Sequence, residues 1–293
     1  MMFSILPTIA ERGLPLSDTM GVMLIITLVS AVLHGITVAQ AHRYFTLYSN
    51  DILYLKVLVT VLVVVDATHL SMAIYTVYHY LIRNFYNPAM IGHFVWSVTV
   101  EAICTSLNSS IVQFLYALWV WRLSKNKLLL FITITLVLLQ GACNIAWVII
   151  STQIKVYSQL IHIGPLTMTM QLLSALIDVI NAVSFIVLLR RSRSGFIKSD
   201  SLINKMIFFV LSTGLLTSLY ATAVVVLLIA TPRSFIAGAL YLCVGRLYVN
   251  SFIAALNARR VVKQEIGTSY PQFTSAPDNT ISSAYASSLS SKV

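Results

Sequence analysis

Charged residues and cysteines are both scarce in this chain. Only 10% of its 293 residues are charged, whereas 58% are hydrophobic and the mean hydropathy is +0.87. A soluble domain carries roughly 25% charged residues, so this composition indicates that water is not the main solvent of the fold. The three cysteines, Cys104, Cys143 and Cys243, all lie within apolar segments, and no loop holds a pair. We therefore predict no structural disulfide.

Several motifs that mark enzymes are also missing. The chain contains no P-loop, no GxGxxG, no GxSxG and no HExxH sequence. No lysine lies in the middle of an apolar segment, so a retinal Schiff base, which needs a buried amine, is not predicted. Residue types that bind zinc do occur within these segments, at His34, Asp66, His69 and Glu101. Because they lack the spacing of a zinc motif, we expect no enzymatic activity, no cofactor and no metal.

Seven stretches of the chain are apolar and long enough for a helix that crosses a bilayer, which needs about 20 residues. Their predicted bounds are Thr19–Gln40, Leu55–Tyr80, Phe94–Trp121, Leu128–Ile150, Pro165–Leu189, Asn204–Ala230 and Ser234–Leu256. A backbone in hydrocarbon must satisfy its own hydrogen bonds, and the alternating pattern of a membrane barrel is absent. We therefore predict an all-α integral membrane bundle of seven transmembrane helices.

The positions of the basic residues predict how this bundle is oriented. Lys and Arg are concentrated in the loops of one side, which the positive-inside rule assigns to the cytoplasm. The opposite side carries Arg12, Arg83, Lys155 and Arg233. We predict a short extracellular N-terminus at residues 1–18, a transmembrane domain at 19–256 and a disordered, Ser-rich cytoplasmic tail at 257–293. The net charge of +10 lies largely in short loops, so the predicted partner is the lipid bilayer of the plasma membrane and not a nucleic acid.

Ionisable residues interrupt several of the predicted spans. Asp66, Asp178 and Arg246 lie close to the midplane when depth is counted at about 1.5 Å per residue. Two acids and one base at one depth favour pairing, because a lone ion in hydrocarbon is costly. His69 and Glu101 are predicted at a similar height in the outer half, where a pair between them would hold two helices together.

Further polar residues extend these positions into stripes along one helix face. Asn250 follows Arg246 by four residues, and Asn181 follows Asp178 by three. Such stripes are typical of a bundle interior, where they serve as contacts between helices or as a ligand or ion site, and the two interpretations are compatible. The candidate ligand-binding or buried ionic network consists of Asp66, His69, Glu101, Asp178, Arg246 and Asn250.

The second half of the chain carries a set of short motifs around Asp178. They read LLRRSRSGF at 188–196, SDSLINK at 199–205, TGLLTS at 213–218, LYVNS at 247–251 and ALNARR at 255–260. Together these motifs resemble a family of seven-span membrane proteins that is expanded in basidiomycete fungi and is defined by a C-terminal domain of unknown function. The resemblance covers roughly residues 164–260 and implies a fungal membrane protein without an established activity. In that family a lysine often stands where this chain has Arg246, so the positive charge is kept with a different donor geometry.

These features favour a receptor-like seven-helix sensor that binds a small ligand in the outer half, near His69 and Glu101. Binding would shift the packing around Asp66, Asp178 and Arg246, since a ligand acts on a switch by favouring one of two states. One alternative is a carrier or channel, coupled to protons or a solute, that uses the midplane charges. Another is a membrane scaffold whose charges only hold the bundle together. The sequence identifies neither the ligand nor a cytoplasmic protein partner.

Overall fold

A computed structural model describes residues 21–87, 90, 92–191, 219–220, 222–227 and 236–267. Within these ranges the chain is all-helical. The long helices are α1 (Val22–Leu47), α2 (Leu53–Tyr78), α3 (Trp96–Ser124), α4 (Lys127–Ser151), α5 (Gly164–Arg191) and α6 (Ile236–Gly267). A π-helical turn at His79–Arg83 continues α2, and a 3-10 segment at Tyr157–Ile163 precedes α5. The predicted all-α class is therefore confirmed for the part of the chain that the structure describes.

Five of these helices, α1 to α5, are long and apolar enough to cross a membrane. Large apolar side chains on their outer surfaces are exposed, among them Leu28 and Val32 of α1 and Phe131 and Leu138 of α4. Exposed apolar patches of this extent mark an interaction surface, and on helices of this length they indicate a membrane protein. The sixth predicted span, 204–230, lies mostly outside the described residues, which are helical there at 219–220 and 222–227.

The end of α6 corrects one predicted boundary. We expected the helix to end at Leu256 and a disordered tail to begin at residue 257, but α6 continues to Gly267. Residues 257–266 contain no proline or glycine and are rich in Ala, Arg, Lys, Gln and Glu, which favour helix. Gly267 then stands where helices commonly end. The predicted extracellular segment, 1–18, and the rest of the predicted tail lie outside the described residues.

A tight turn makes α3 and α4 antiparallel neighbours. Lys125 adopts a left-handed conformation with φ of 55°, and its backbone N–H bonds to the carbonyl of Trp121 at 2.8 Å, which ends α3. Asn126 then caps α4, because its side-chain oxygen accepts from the backbone N–H of Leu128 at 2.9 Å and of Leu129 at 3.3 Å. Only two residues therefore separate the two helices.

The last helix, α6, is central to the packing. It packs most extensively against α1 and α3 and also contacts α2. Tyr44, Val59, Val112 and Phe252, one from each of α1, α2, α3 and α6, belong to a single buried apolar cluster. The position of α6 places its polar side chains between the other helices.

The contact between α6 and α3 depends on a glycine. A Cβ atom at Gly245 would lie 3.0 Å from the Cα of Thr105, a backbone atom, which is tighter than nine in ten real Cβ contacts. Glycine therefore permits a close approach that any larger residue would disturb. The neighbouring residue, Arg246, is carried into the bundle interior by this approach.

Candidate functional site

Asp66 of α2 is the centre of a first buried network. Its side chain is fully buried, and its Oδ1 lies 3.2 Å from Nη1 of Arg246 on α6. Its other oxygen, Oδ2, lies 2.6 Å from Nδ1 of His34 on α1. The His34 side chain is 19% exposed, so one edge of this network approaches the surface. Three helices thus meet at one carboxylate.

Arg246 connects the same network to two further groups. Its Nη1 donates to the backbone carbonyl of Ser30 at 3.2 Å, and its Nη2 lies 2.8 Å from Nδ1 of His69. Arginine can only donate hydrogen bonds, so Nδ1 of His69 must be the acceptor. His69 is then a neutral imidazole with its proton on Nε2. This arrangement pairs Arg246 with Asp66, as a buried charge requires, and gives Nη1 and Nη2 hydrogen-bond acceptors, whereas its buried Nε has no partner among the described residues.

One face of α6 is bonded along its length to α1. Cys243 Sγ lies 3.2 Å from Ser30 Oγ. Asn250 Nδ2 donates to the carbonyl of Leu33 at 3.2 Å, and Asn250 Oδ1 accepts from Thr37 Oγ1 at 3.1 Å. The polar stripe that begins at Arg246 thus binds α1, and Asn250 contributes to the contact between helices.

Glu101 of α3 has a different partner from the one we expected. Its Oε1 accepts from Thr76 Oγ1 at 2.7 Å, and Thr76 Oγ1 also lies 2.7 Å from Ser97 Oγ. Since His69 is bonded to Arg246, the predicted direct pair between His69 and Glu101 is not formed. The position of Thr76, about two turns beyond His69 on α2 and bonded to Glu101, explains this difference.

His69 and Glu101 nevertheless line the same small pocket, which has a cavity volume of about 20 Å³. This volume is enough for roughly one water molecule. The pocket lies between the N-terminal part of α1, the second half of α2 and the first half of α3. Its lining consists of Met23, Ile26, Thr27, Ser30, His69, Ala73 and Glu101. The pocket is therefore in direct contact with the first network through His69 and Ser30.

Asp178 of α5 belongs to a second buried network. Its Oδ2 accepts from the Tyr248 hydroxyl at 2.5 Å, and its Oδ1 lies 3.4 Å from Nε2 of Gln113. The same Gln113 Nε2 donates to Ser174 Oγ at 3.0 Å, and Ser174 Oγ lies 2.9 Å from the Tyr248 hydroxyl. This network joins α3, α5 and α6.

The two networks are separate: of the two acids for which pairing with the base was expected, Asp66 lies against Arg246, whereas Asp178 bonds to Tyr248. Arg246 and Tyr248 are two residues apart on α6, so they point about 200° apart around the helix axis. Arg246 faces Asp66 on α2, whereas Tyr248 faces Asp178 on α5. A similar depth in the membrane therefore does not bring Asp178 into contact with Arg246.

Four residues of these networks were not among the predicted site residues: His34, Gln113, Ser174 and Tyr248. Sequence signals existed for two of them. His34 is an ionisable residue within the first span, and Ser174 precedes Asp178 by four residues on one helix face. Among the residues that the structure describes, no group of three or more His, Cys, Asp or Glu side chains is arranged to hold a metal ion.

Comparison with known protein families finds a match in the C-terminal half of the chain. No curated protein and no solved structure matches the chain. A family model matches residues 174–261, a region that includes Asp178, Arg246 and Asn250, whereas Asp66, His69 and Glu101 precede it. Residues 174–261 match a family of unknown function, DUF6534, so the chain carries a C-terminal domain of unknown function.

Proposed function

We propose that this protein is a receptor-like sensor of a small ligand, built as a seven-helix bundle in the plasma membrane with its N-terminus outside. The observation that carries the proposal is the double role of His69. This residue lines the pocket and also bonds to Arg246, which pairs with Asp66. A ligand in the pocket would therefore touch the group that holds the ionic network in place.

The pocket's size supports a two-state element. At about 20 Å³, the pocket holds a group of about the size of a water molecule, and a bulkier group enters it only when a helix moves. Contacts that oppose movement of α1 include the bonds from Ser30, Leu33 and Thr37 to α6 and the bond from His34 to Asp66 on α2. A ligand that stabilises the opened state would shift the population toward it. The pocket begins at Met23, near the N-terminus of α1, which the proposed orientation places on the extracellular side.

A specific observation favours a second candidate, a proton- or solute-coupled carrier. His34, Asp66, Arg246 and His69 form a continuous chain of ionisable groups, and His34 is partly exposed. Chains of this kind mark proton pathways in membrane proteins. A third possibility is a scaffold in which both networks only join helices.

Neutral replacements distinguish these three functions. Asp66→Asn, Asp178→Asn and Arg246→Gln would be compared for membrane expression, thermal stability and flux of protons or solutes in proteoliposomes. Lost flux in the protein that still folds supports a carrier, and lower stability with unchanged flux and an unchanged ligand response supports a scaffold. Unchanged flux with a lost response to an added ligand, measured on the protein that still folds, supports the sensor.

The native Cys243 provides a direct test of the proposed movement. Its side chain is only 5% exposed and faces Ser30 across the contact of α1 and α6. In a variant with Cys104→Ala and Cys143→Ala, Cys243 is the only thiol left. We expect a ligand found by screening small polar molecules to raise the rate at which N-ethylmaleimide labels Cys243. Ligands that bind without changing this rate would contradict the sensor.

The matched control replaces His69, which is the proposed link between pocket and network. His69→Phe removes the imidazole that accepts from Arg246 while keeping an aromatic ring of similar position. In this variant the basal labelling rate should rise, because α6 loses one of its contacts, and the added effect of the ligand should vanish. An unchanged ligand effect would show that His69 does not transmit the movement.

A further inference from the structure

The carboxylate of Glu101 is the most unusual group in the pocket. It is only 1% exposed, yet it is part of the pocket lining. Its Oε1 accepts from Thr76, whereas its Oε2 accepts no hydrogen bond from any described residue. Buried polar atoms normally have a partner. An acceptor at this position therefore indicates a ligand that donates hydrogen bonds.

From the charges around the pocket we propose that it binds the head of a primary ammonium ion, with Glu101 as the counter-ion. Arg246 is already paired with Asp66 and donates its other bonds to Ser30 and His69. Glu101 forms no salt bridge with a described residue. With His69 neutral, the described charges near the pocket are two carboxylates and one guanidinium, and His34, whose Nδ1 lies 2.6 Å from Asp66, adds a positive charge beside Asp66 only when it is protonated. A positive charge in the pocket would pair directly with Glu101, as a buried carboxylate requires.

The size and lining of the pocket select the kind of cation. A cavity of about 20 Å³ accommodates one nitrogen-sized head, which excludes a trimethylammonium group. An ammonium group has three donors and no acceptor, and the pocket offers acceptors at Glu101 and at the hydroxyls of Thr27 and Ser30. Met23 and Ile26 supply an apolar wall for the carbon chain attached to the head.

This inference rests on the proposed function only because both use the same pocket. A primary ammonium can reach the pocket from water, as a free amine, or from the bilayer, as the head group of phosphatidylethanolamine. Both sources present the same chemistry to Glu101. The experiment therefore separates the two sources by the composition of the bilayer.

The test uses the full-length protein in phosphatidylcholine nanodiscs at constant ionic strength. Methylammonium chloride is the probe, and tetramethylammonium chloride and sodium chloride are the comparisons, with the apparent Tm as the readout. We expect methylammonium alone to raise the Tm. A parallel sample without added amine, in nanodiscs that contain phosphatidylethanolamine, tests the lipid source. A rise there together with no response to methylammonium assigns the site to the lipid head group.

Two variants check that the effect comes from this pocket. Glu101→Gln keeps an acceptor for Thr76 but removes the charge, and we expect about tenfold or greater loss of methylammonium affinity. Ala73→Val fills the cavity without changing any charge and should also abolish binding. Its effect remains informative if the Glu101 variant does not fold. Asp51→Asn is the matched control. Asp51 lies in the loop between α1 and α2, away from the pocket, and its carboxylate accepts a hydrogen bond from the hydroxyl of Tyr44.

Several results would overturn the proposal. These are an equal shift with tetramethylammonium or sodium, unchanged affinity in Glu101→Gln, or no shift with either amine source. The outcome for the sensor is read separately. Binding of methylammonium without a change in Cys243 labelling would contradict the sensor but leave the site intact. A change in labelling caused by another ligand, without ammonium binding, would contradict the site but not the sensor.

Discussion

Removing the charge of Asp66 should strongly destabilise the bundle. Asp66 and Arg246 are 0% and 1% exposed, and their charged atoms lie 3.2 Å apart. Asp66→Asn keeps the shape of the side chain but leaves the guanidinium with the neutral acceptors Ser30 and His69. Loss of one partner of a buried ion pair costs about 3–5 kcal/mol. For a protein of this size the corresponding fall in apparent Tm is on the order of 10 °C.

A double-mutant cycle isolates the interaction between the two charges. Arg246→Gln alone leaves Asp66 as a buried carboxylate with His34 as its remaining partner. The double variant, Asp66→Asn with Arg246→Gln, contains neither charge, so its destabilisation should be smaller than the sum of the single effects. We expect a coupling of about 2–3 kcal/mol, at the upper end of measured values for residues in contact.

The assay is reversible denaturation in mixed micelles, with thermal stability in nanodiscs as a second measurement. Asp178→Asn combined with Arg246→Gln is the matched control, because Asp178 bonds to Tyr248 on another side of α6. The effects of this second pair should add to within about 0.5 kcal/mol. Additive effects of the Asp66 and Arg246 variants would refute the ion pair. Strong coupling between Asp178 and Arg246 would refute the division into two networks.

Two further predictions concern the packing of α6. Gly245→Ala should lower the free energy of unfolding by about 1–3 kcal/mol, because the new Cβ would lie 3.0 Å from the Cα of Thr105. Gly141→Ala has nothing within 4 Å of the new Cβ and should be neutral or stabilising by up to about 1 kcal/mol; equal effects of both variants would contradict the close approach. Tyr248→Phe should lower stability by about 1–3 kcal/mol, because Asp178 loses a buried donor, and wild-type stability in chemical denaturation would show that this bond is unimportant.

The helices were predictable to within a few residues for most of the described chain. Apolar runs of membrane-spanning length specify helices, since no other open structure satisfies its backbone in hydrocarbon. The predicted ends were least accurate for α6, which continues to Gly267 rather than ending at Leu256, and for α1, which continues to Leu47 rather than ending at Gln40. Hydropathy falls where a helix leaves the membrane, but a helix ends only where its backbone propensity changes. Hydropathy alone therefore placed the boundary too early.

The partners of the buried residues were less predictable than their positions. Spacing along a helix indicates the depth of Asp66, Asp178 and Arg246 and the face that each one occupies. It does not indicate which neighbouring helix that face meets. His69 and Glu101 do not form the expected direct pair, because His69 bonds to Arg246 and Glu101 bonds to Thr76. The two side chains line the same pocket instead.

Composition and pattern alone thus determined that this chain forms apolar helices with ionisable residues inside them, because hydrocarbon tolerates little else. The tertiary structure decided which partner each of those ionisable residues contacts. Rotation of α6 about its axis sends Arg246 toward Asp66 and Tyr248 toward Asp178. Gly245 permits the close approach of α6 to α3 at Thr105. The rotation of α6 and its distance from α3 arise from packing among helices that are distant in sequence, and no local sequence pattern encodes them.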